Sequence, residues 1–228
     1  MPDTEPGQSQ FSTKTAQILL DIKAVNFRPE EPYKFTSGWA SPVYIDCRKI
    51  ISYTQERRAI IEMAVNMLDR TMDLKALDAV AGGETAGIPY AAWISEAVSL
   101  PMLYVRKQPK GFGRNAQIEG DLAEGSRVLL VEDLATDGAS KLNFVNALRK
   151  AGATVNDAFV VFFYDIFKGA LDSLEAEGIT MHYLATWRDV LRVAAEQKRF
   201  PDSAIAEVRK FLDDPISWSA AHGGKGET

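Results

Sequence analysis

VLLVEDLATDGASK, residues 128–141, is an apolar run closed by two adjacent carboxylates, Glu132 and Asp133, and followed by a loop of small and hydroxyl residues. A nearly continuous apolar run of this length is the pattern of a strand covered on both faces. The loop then opens a helix at about Ser140. In a doubly wound sheet, ligands sit at this place, at the carboxyl end of a strand and the amino end of the next helix. Thr136, Asp137, Gly138, Ala139 and Ser140 would offer backbone N–H groups and hydroxyls to a phosphate, aided by the helix dipole. Neither the P-loop pattern nor the dinucleotide fingerprint is present. Paired acids just before a phosphate loop suit a sugar phosphate, because carboxylates accept hydrogen bonds from the 2' and 3' hydroxyls. The plainer reading is that Glu132 and Asp133 merely end a strand and cap a helix.

Outward from this stretch, short apolar runs alternate with helical patterns: LDAVAG from Leu77, Tyr90 to Val98, PMLYVR, RVLLVED, Lys141 to Ala151, AFVVFFYD, Gly169 to Glu177 and MHYLA. Strands alternating with helices predict an α/β fold, a parallel sheet flanked by helices on both faces. RVLLVED and AFVVFFYD are the expected central strands. Apolar residues at helical spacing predict helices over Thr15–Val25 and Arg57–Leu68, on either side of the irregular segment FTSGWASPVYIDCR, residues 35–48. Two amphipathic helices are expected at about 186–212. Residues 1–9 read as a disordered tail and 215–228 as a C-terminal tail, leaving a single domain over 10–214.

Composition narrows the function classes. Of 228 residues, 46% are hydrophobic and 25% charged, as in an ordinary globular domain. No apolar run approaches the roughly 20 residues of a membrane span, and the start MPDTEPGQSQ lacks the basic-then-apolar order of a signal peptide. The expectation is a cytoplasmic protein without a membrane partner. A net charge of -5 argues against a nucleic-acid partner. Cys47 is the single cysteine, so no internal disulfide and no Cys-rich metal site can form, and it reads as a small buried hydrophobe.

Against that acidic background, YVRKQPKGFGRNAQIEG, residues 104–120, places Arg106, Lys107, Lys110 and Arg114 in a loop with glycines at 111, 113 and 120. Such cations would meet negative charge developing on a departing anionic group, and the glycines suit a lid that closes over substrate. By itself the loop reads equally well as a solvated hairpin. GGETAGIPYAAW, residues 82–93, reads as a strand end, a glycine turn and a helix start whose N–H groups could also meet phosphate. A tight turn explains its glycines just as simply. His182 reads as a core or edge residue of a strand, and His222 as part of the tail.

VLLVEDLATDGASK resembles the phosphoribosyl pyrophosphate (PRPP) signature of type I phosphoribosyltransferases. Taken with the basic loop running into Ile-Glu-Gly, GGETAGIPYAAW and FTSGWASPVYIDCR, in that arrangement, the chain resembles bacterial orotate phosphoribosyltransferases over roughly residues 15–190. The resemblance implies the type I phosphoribosyltransferase fold, with a hood at about 33–50 over the active site. It also implies Mg²⁺-dependent transfer of a phosphoribosyl group from PRPP to orotate, in pyrimidine biosynthesis. Arg106, Lys107 and Lys110 would belong to a catalytic loop, 106–120, with Phe112 among its PRPP-contacting positions and the loop shared across a homodimer. A PRPP-binding loop, 132–140, comprising Glu132, Asp133, Leu134, Ala135, Thr136, Asp137, Gly138, Ala139 and Ser140, would hold ribose and 5'-phosphate. Thr136 and Tyr44 would approach orotate, although an aromatic beside a proline also suits simple packing. Protein ligands for a tight metal site are not expected, since Mg²⁺ would arrive on PRPP with its own water.

The chain departs from the family pattern at four places. Thr36 and Ala86 stand where some relatives have lysines, Phe112 where many have a histidine, and Ile166 where some have an arginine. Two other readings therefore stay open: transfer to a different base, and a non-catalytic PRPP-binding regulator.

Overall fold

A computed structural model of the chain describes residues 6–111, 117–136 and 138–226. Its elements are α1 (Pro6–Asp21), β1 (Val25–Phe27), β2 (Tyr33–Lys34), β3 (Ala40–Ser41), β4 (Val43–Ile45), α2 (Thr54–Thr71), β5 (Ala79–Gly83), α3 (Gly87–Val98), β6 (Met102–Val105) and β7 (Ile118–Glu119). There follow β8 (Arg127–Ala135), α4 (Ala139–Lys150), β9 (Thr154–Phe163), α5 (Asp172–Ala176), β10 (Thr180–Thr186), α6 (Trp187–Glu196), α7 (Asp202–Asp213) and α8 (Pro215–Ala221). These fall into two compact units. One gathers the described residues up to Tyr53, Asp165–Lys168 and those from Ala185 onward; the other comprises Thr54–Tyr164 and Gly169–Leu184.

The second unit carries a six-stranded sheet in the order β10-β9-β8-β5-β6-β7. β5 pairs in parallel with both β6 and β8, and β8 in parallel with β9, while β7 closes the far edge antiparallel to β6. The runs expected at the centre are β8 and β9, and Val128–Val131 and Ala158–Phe163 are buried along both. Burial on both faces is why these strands are almost uniformly apolar rather than alternating. From β5 the chain steps one way to β6 and then returns to place β8 on the other side. The carboxyl ends of β5 and β8 therefore flank the topological switch point, the crevice in which open α/β sheets bind ligands. At the opposite ends of β9 and β10, His182 Nε2 lies 2.9 Å from Asp157 Oδ1 and its Nδ1 3.1 Å from Thr71 Oγ1. This is a satisfied core histidine, as its place in a strand suggested.

The first unit joins both ends of the chain. α1 packs against α6, and the hairpin β1–β4 aligns Val25 with Ile45 and Phe27 with Val43. The Phe27 ring stacks on Phe200 at 4.3 Å and meets Trp187 at 6.3 Å. A capping box at Thr186 and Asp189 starts α6, with Thr186 N donating to Asp189 Oδ2 at 2.9 Å. Cys47 is fully buried, as expected of a small hydrophobe.

Both ends are more ordered than composition implies. α1 starts at Pro6, so residues 6–9 belong to a helix rather than a tail, and it stops at Asp21 because Val25 is taken into β1. Beyond 214, α8 replaces the expected tail. Asp214 caps it by accepting from Ser217 N at 3.1 Å, and Pro215 takes the first helical position, where its missing N–H is harmless. Trp218 is buried, edge-on to Phe211 at 5.4 Å, and Ser219 Oγ accepts from Ala40 N at 3.0 Å. Lys225 N then donates to Gly38 O at 2.8 Å. The hairpin β2–β3 and the C-terminal segment thus fasten each other, which gives the C-terminal helices a structural role. Trp218→Ala is expected to destabilise this unit by about 3–5 kcal/mol, read by denaturant unfolding. A loss under about 0.5 kcal/mol, the range of an exposed substitution, would show α8 to be undocked.

No helix among the described residues is long and apolar enough to cross a membrane.

Candidate active site

The second unit brings the stretch around Glu132 and GGETAG together. β8 does not end at its two acids but continues through Leu134 and Ala135, which align with Phe162 and Phe163 of β9. Ala135 is buried, so only its backbone faces a ligand position. Thr136 is exposed. Gly138 follows with φ 75°, the left-handed region that glycine enters without strain, and caps α4, which Ala139 and Ser140 open. The first N–H groups of a helix have no intrahelical acceptor, which makes this turn a candidate anion site, although Lys141 N already donates to Gly138 O at 2.9 Å. Asp137 and Phe112 lie outside the described residues.

Glu132 and Asp133 are both buried, at 8% and 7% exposure. Asp133 Oδ1 accepts from Leu134 N at 2.9 Å. Glu132 leans the other way, into a slot left by glycines. A Cβ on Gly83 would stand 1.8 Å from Glu132 Oε1, and one on Gly87 would stand 2.9 Å from the same oxygen and 2.3 Å from Val131 O. Neither glycine has a positive φ, so the requirement is close approach rather than a turn. That finding replaces the tight-turn reading of GGETAG.

The Lys141 ammonium, also buried, lies 3.4 Å from Glu132 Oε2. Oε1 has no hydrogen-bond partner among the described residues. Burial pushes the Glu132 carboxyl up to about 7, opposed by Lys141, reinforced by the neighbouring Asp133 charge and opposed again by Lys107. The folded value lies above the ordinary 4.5, so between these values the folded state holds a proton that the unfolded chain has lost. Stability from this group is full below about pH 4.5 and falls as pH rises through about 7, by on the order of 3 kcal/mol. Unfolding measured across that window should show Glu132→Gln with that part of the slope removed. A slope identical to the parent's would mean Glu132 does not titrate there.

The basic loop springs from the β6–β7 hairpin. Arg106 N donates to Gln117 O at 2.8 Å, Gln117 Nε2 returns a bond to Arg106 O at 3.1 Å, and Arg106 Nη1 meets Glu119 Oε1 at 3.2 Å. Lys107 N donates to Glu84 Oε2 at 2.8 Å. Glu84, in the loop after β5, thereby ties the root of the basic loop to GGETAG. This link went unnoticed in the sequence, where nothing local distinguishes a carboxylate that clamps a backbone N–H from a solvated one. Lys107 and Lys110 are exposed, whereas Arg106 is half-buried and engaged. Tyr44 belongs to the first unit, where its ring lies 5.4 Å from Tyr33 and its hydroxyl accepts from Arg48 Nη2 at 3.4 Å.

A doubly wound sheet with paired acids and a helix-opening loop at its switch point, joined to a basic hairpin over the neighbouring strand, defines a type I phosphoribosyltransferase. No protein-family model matches the chain. Its sequence is 53% identical to the orotate phosphoribosyltransferase of Sinorhizobium medicae, over 92% of this chain and 91% of that one. It is 49% identical to that of Rhizobium johnstonii, over 98% and 97%. Among solved structures, orotate phosphoribosyltransferase from Aeropyrum pernix aligns with TM-score 0.68 and 30% identity, over 82% of this chain and 99% of that one. UMP synthase of Leishmania donovani aligns with TM-score 0.74 and 28% identity, over 88% of this chain and 42% of that longer one. The chain belongs to the orotate phosphoribosyltransferase family.

Proposed function

We propose that the chain transfers the 5-phosphoribosyl group of PRPP to N1 of orotate, giving orotidine 5'-phosphate and pyrophosphate in pyrimidine biosynthesis. The observation that carries this reading is the pair of buried acids at the switch point, directly before the N-terminus of α4, in a chain so similar to curated orotate phosphoribosyltransferases. The 5'-phosphate sits on the N–H groups of residues 136–140. Glu132 and Asp133 accept hydrogen bonds from the ribose hydroxyls and stabilise positive charge as it builds on the ring. Lys107 and Lys110 meet the pyrophosphate, and Arg106 joins them by exchanging Glu119 for phosphate oxygen. Orotate is an anion at neutral pH through its carboxylate, and as the N1–C1 bond forms and the bond to pyrophosphate breaks, the N1 proton passes to solvent or to the departing pyrophosphate. Thr136 and Tyr44 are the proposed contacts of orotate.

Mg²⁺ enters as part of the substrate, bound to PRPP, and supplies charge neutralisation to the leaving group. The working form is a cytoplasmic homodimer in which each basic loop serves the neighbouring subunit's site.

Incubation with Mg²⁺, PRPP and orotate, followed by loss of orotate absorbance, tests the reading, with uracil, adenine and hypoxanthine in parallel. Turnover of orotate alone is expected. Turnover of another base instead would overturn the substrate, and PRPP binding without any turnover would point to a regulator.

A further inference from the structure

Lys141 is the third residue of α4, in the first turn of a helix whose amino end is offered to phosphate. A cation there opposes the helix dipole, and a lysine that is 4% exposed also loses most of its hydration. Two unfavourable terms at one position call for a compensating contact, and the structure supplies it. The ammonium reaches back beneath the end of β8 to Glu132 Oε2 at 3.4 Å, across the slot that Gly83 and Gly87 leave open. Among the described residues, Lys141 is the salt-bridge partner of Glu132. Around its carboxylate stand Asp133 on the same strand, Lys107 at the root of the basic loop, and the two glycines on the β5–α3 side, which bring no charge.

We propose that Lys141 is a positioning residue for the reaction: a buried counter-charge that holds Glu132 in its glycine slot as a carboxylate, ready to accept the ribose hydroxyls. The inference rests on the ribose role given to Glu132 above. Without Lys141, Glu132 would be a lone buried acid and would keep its proton, and a protonated oxygen donates where the sugar needs an acceptor. With Lys141, the pair carries no net charge and its geometry is set before substrate arrives. A buried pair of this kind contributes little to stability over apolar packing, which is consistent with its retention for function. Burial still leaves the carboxyl at about 7, so the pair stands at the edge of ionisation and any weakening is felt near neutral pH.

The test uses the full chain, with Lys141→Met read in two ways. One is the titration of the Glu132 side-chain carboxyl by ¹³C NMR, assigned through Glu132→Gln; the other is the pH profile of kcat/KM for PRPP. The carboxyl should titrate at least about 1 pH unit higher than in the parent, and the acid limb of the profile should move with it. The loss of kcat/KM should then be about fivefold or more near neutrality and should shrink in alkaline buffer. A loss that is equal at every pH, with the carboxyl unmoved, would overturn the proposal, since a lysine that bound phosphate or merely packed would behave in that way. If Lys141→Met does not fold, Glu132→Gln/Lys141→Met decides. Removing both charges should raise the melting temperature above that of Glu132→Gln, in which the buried ammonium faces a neutral amide instead of a carboxylate; no rise would show that the two groups are not coupled. The NMR titration needs no turnover, so failure of the orotate assay in the parent is told apart from failure of the Lys141 assignment.

Discussion

Lys110→Ala should lower kcat by about 10²–10³-fold, while unfolding free energy stays within about 0.5 kcal/mol of the parent. The expectation rests on how differently the loop's cations are held. Arg106 is braced by Glu119, and the Lys107 backbone is clamped by Glu84, whereas Lys110 lies three residues further out and is exposed. A long, strongly hydrated side chain there adds nothing to the core. In the proposed reaction its value would lie in meeting charge that develops as pyrophosphate leaves, an interaction stronger in the transition state than in the ground state. The loss should therefore fall on kcat and on kcat/KM alike, with little change in KM for PRPP. Steady-state kinetics alongside thermal unfolding decide the matter. Unchanged turnover would remove the loop from catalysis and return it to the solvated hairpin that its composition also allows.

Gly83→Ala is the second large effect, and it acts through packing. The new methyl would stand 1.8 Å from Glu132 Oε1, 2.8 Å from Glu132 Cδ and 2.7 Å from Phe144 Cε2, so one of these groups must move. Overpacking of this severity costs about 1–3 kcal/mol, and the cheaper relief is expulsion of the Glu132 carboxylate from its slot. Expulsion would spoil the ribose contact and separate Glu132 from Lys141. The expected result is a rise of at least about tenfold in KM for PRPP together with the stability loss. Gly83→Ala/Glu132→Ala should recover the stability without recovering activity, a coupling that contact between the two positions requires. Independent, additive losses in that cycle would mean that Glu132 does not occupy the slot.

Much of this protein can be read from local pattern. The apolar runs of β8 and β9 announced buried parallel strands, because burial on both faces leaves no room for alternation. The two acids and the glycine before α4 pointed to a sugar-phosphate site, the reading proposed above, and Gly138 takes up a left-handed conformation there. The clustering of Arg106, Lys107 and Lys110 on an acidic chain announced an anion to be met. α8 was legible as well, in Asp214-Pro215 followed by Ser217, a capping signal that the glycine-rich ending obscured. Lys141 also left a trace, as a cation in the first turn of a helix, against the helix dipole.

What no local pattern contains is the meeting of residues 83, 87, 132 and 141. Strand order is the reason: β5 and β8 are separated in sequence by α3, β6, the basic loop and β7, yet they lie side by side. Periodicity reports which face of an element is apolar, not which element will cover it. The sequence by itself therefore determined the α/β class, the acids, the phosphate loop and the cations. Only the tertiary structure decided that two glycines leave room for Glu132, that Lys141 lies beside its carboxylate and that the C-terminal segment fastens the hairpin β2–β3, because each of these contacts joins elements that periodicity does not pair and exists only once each unit has folded.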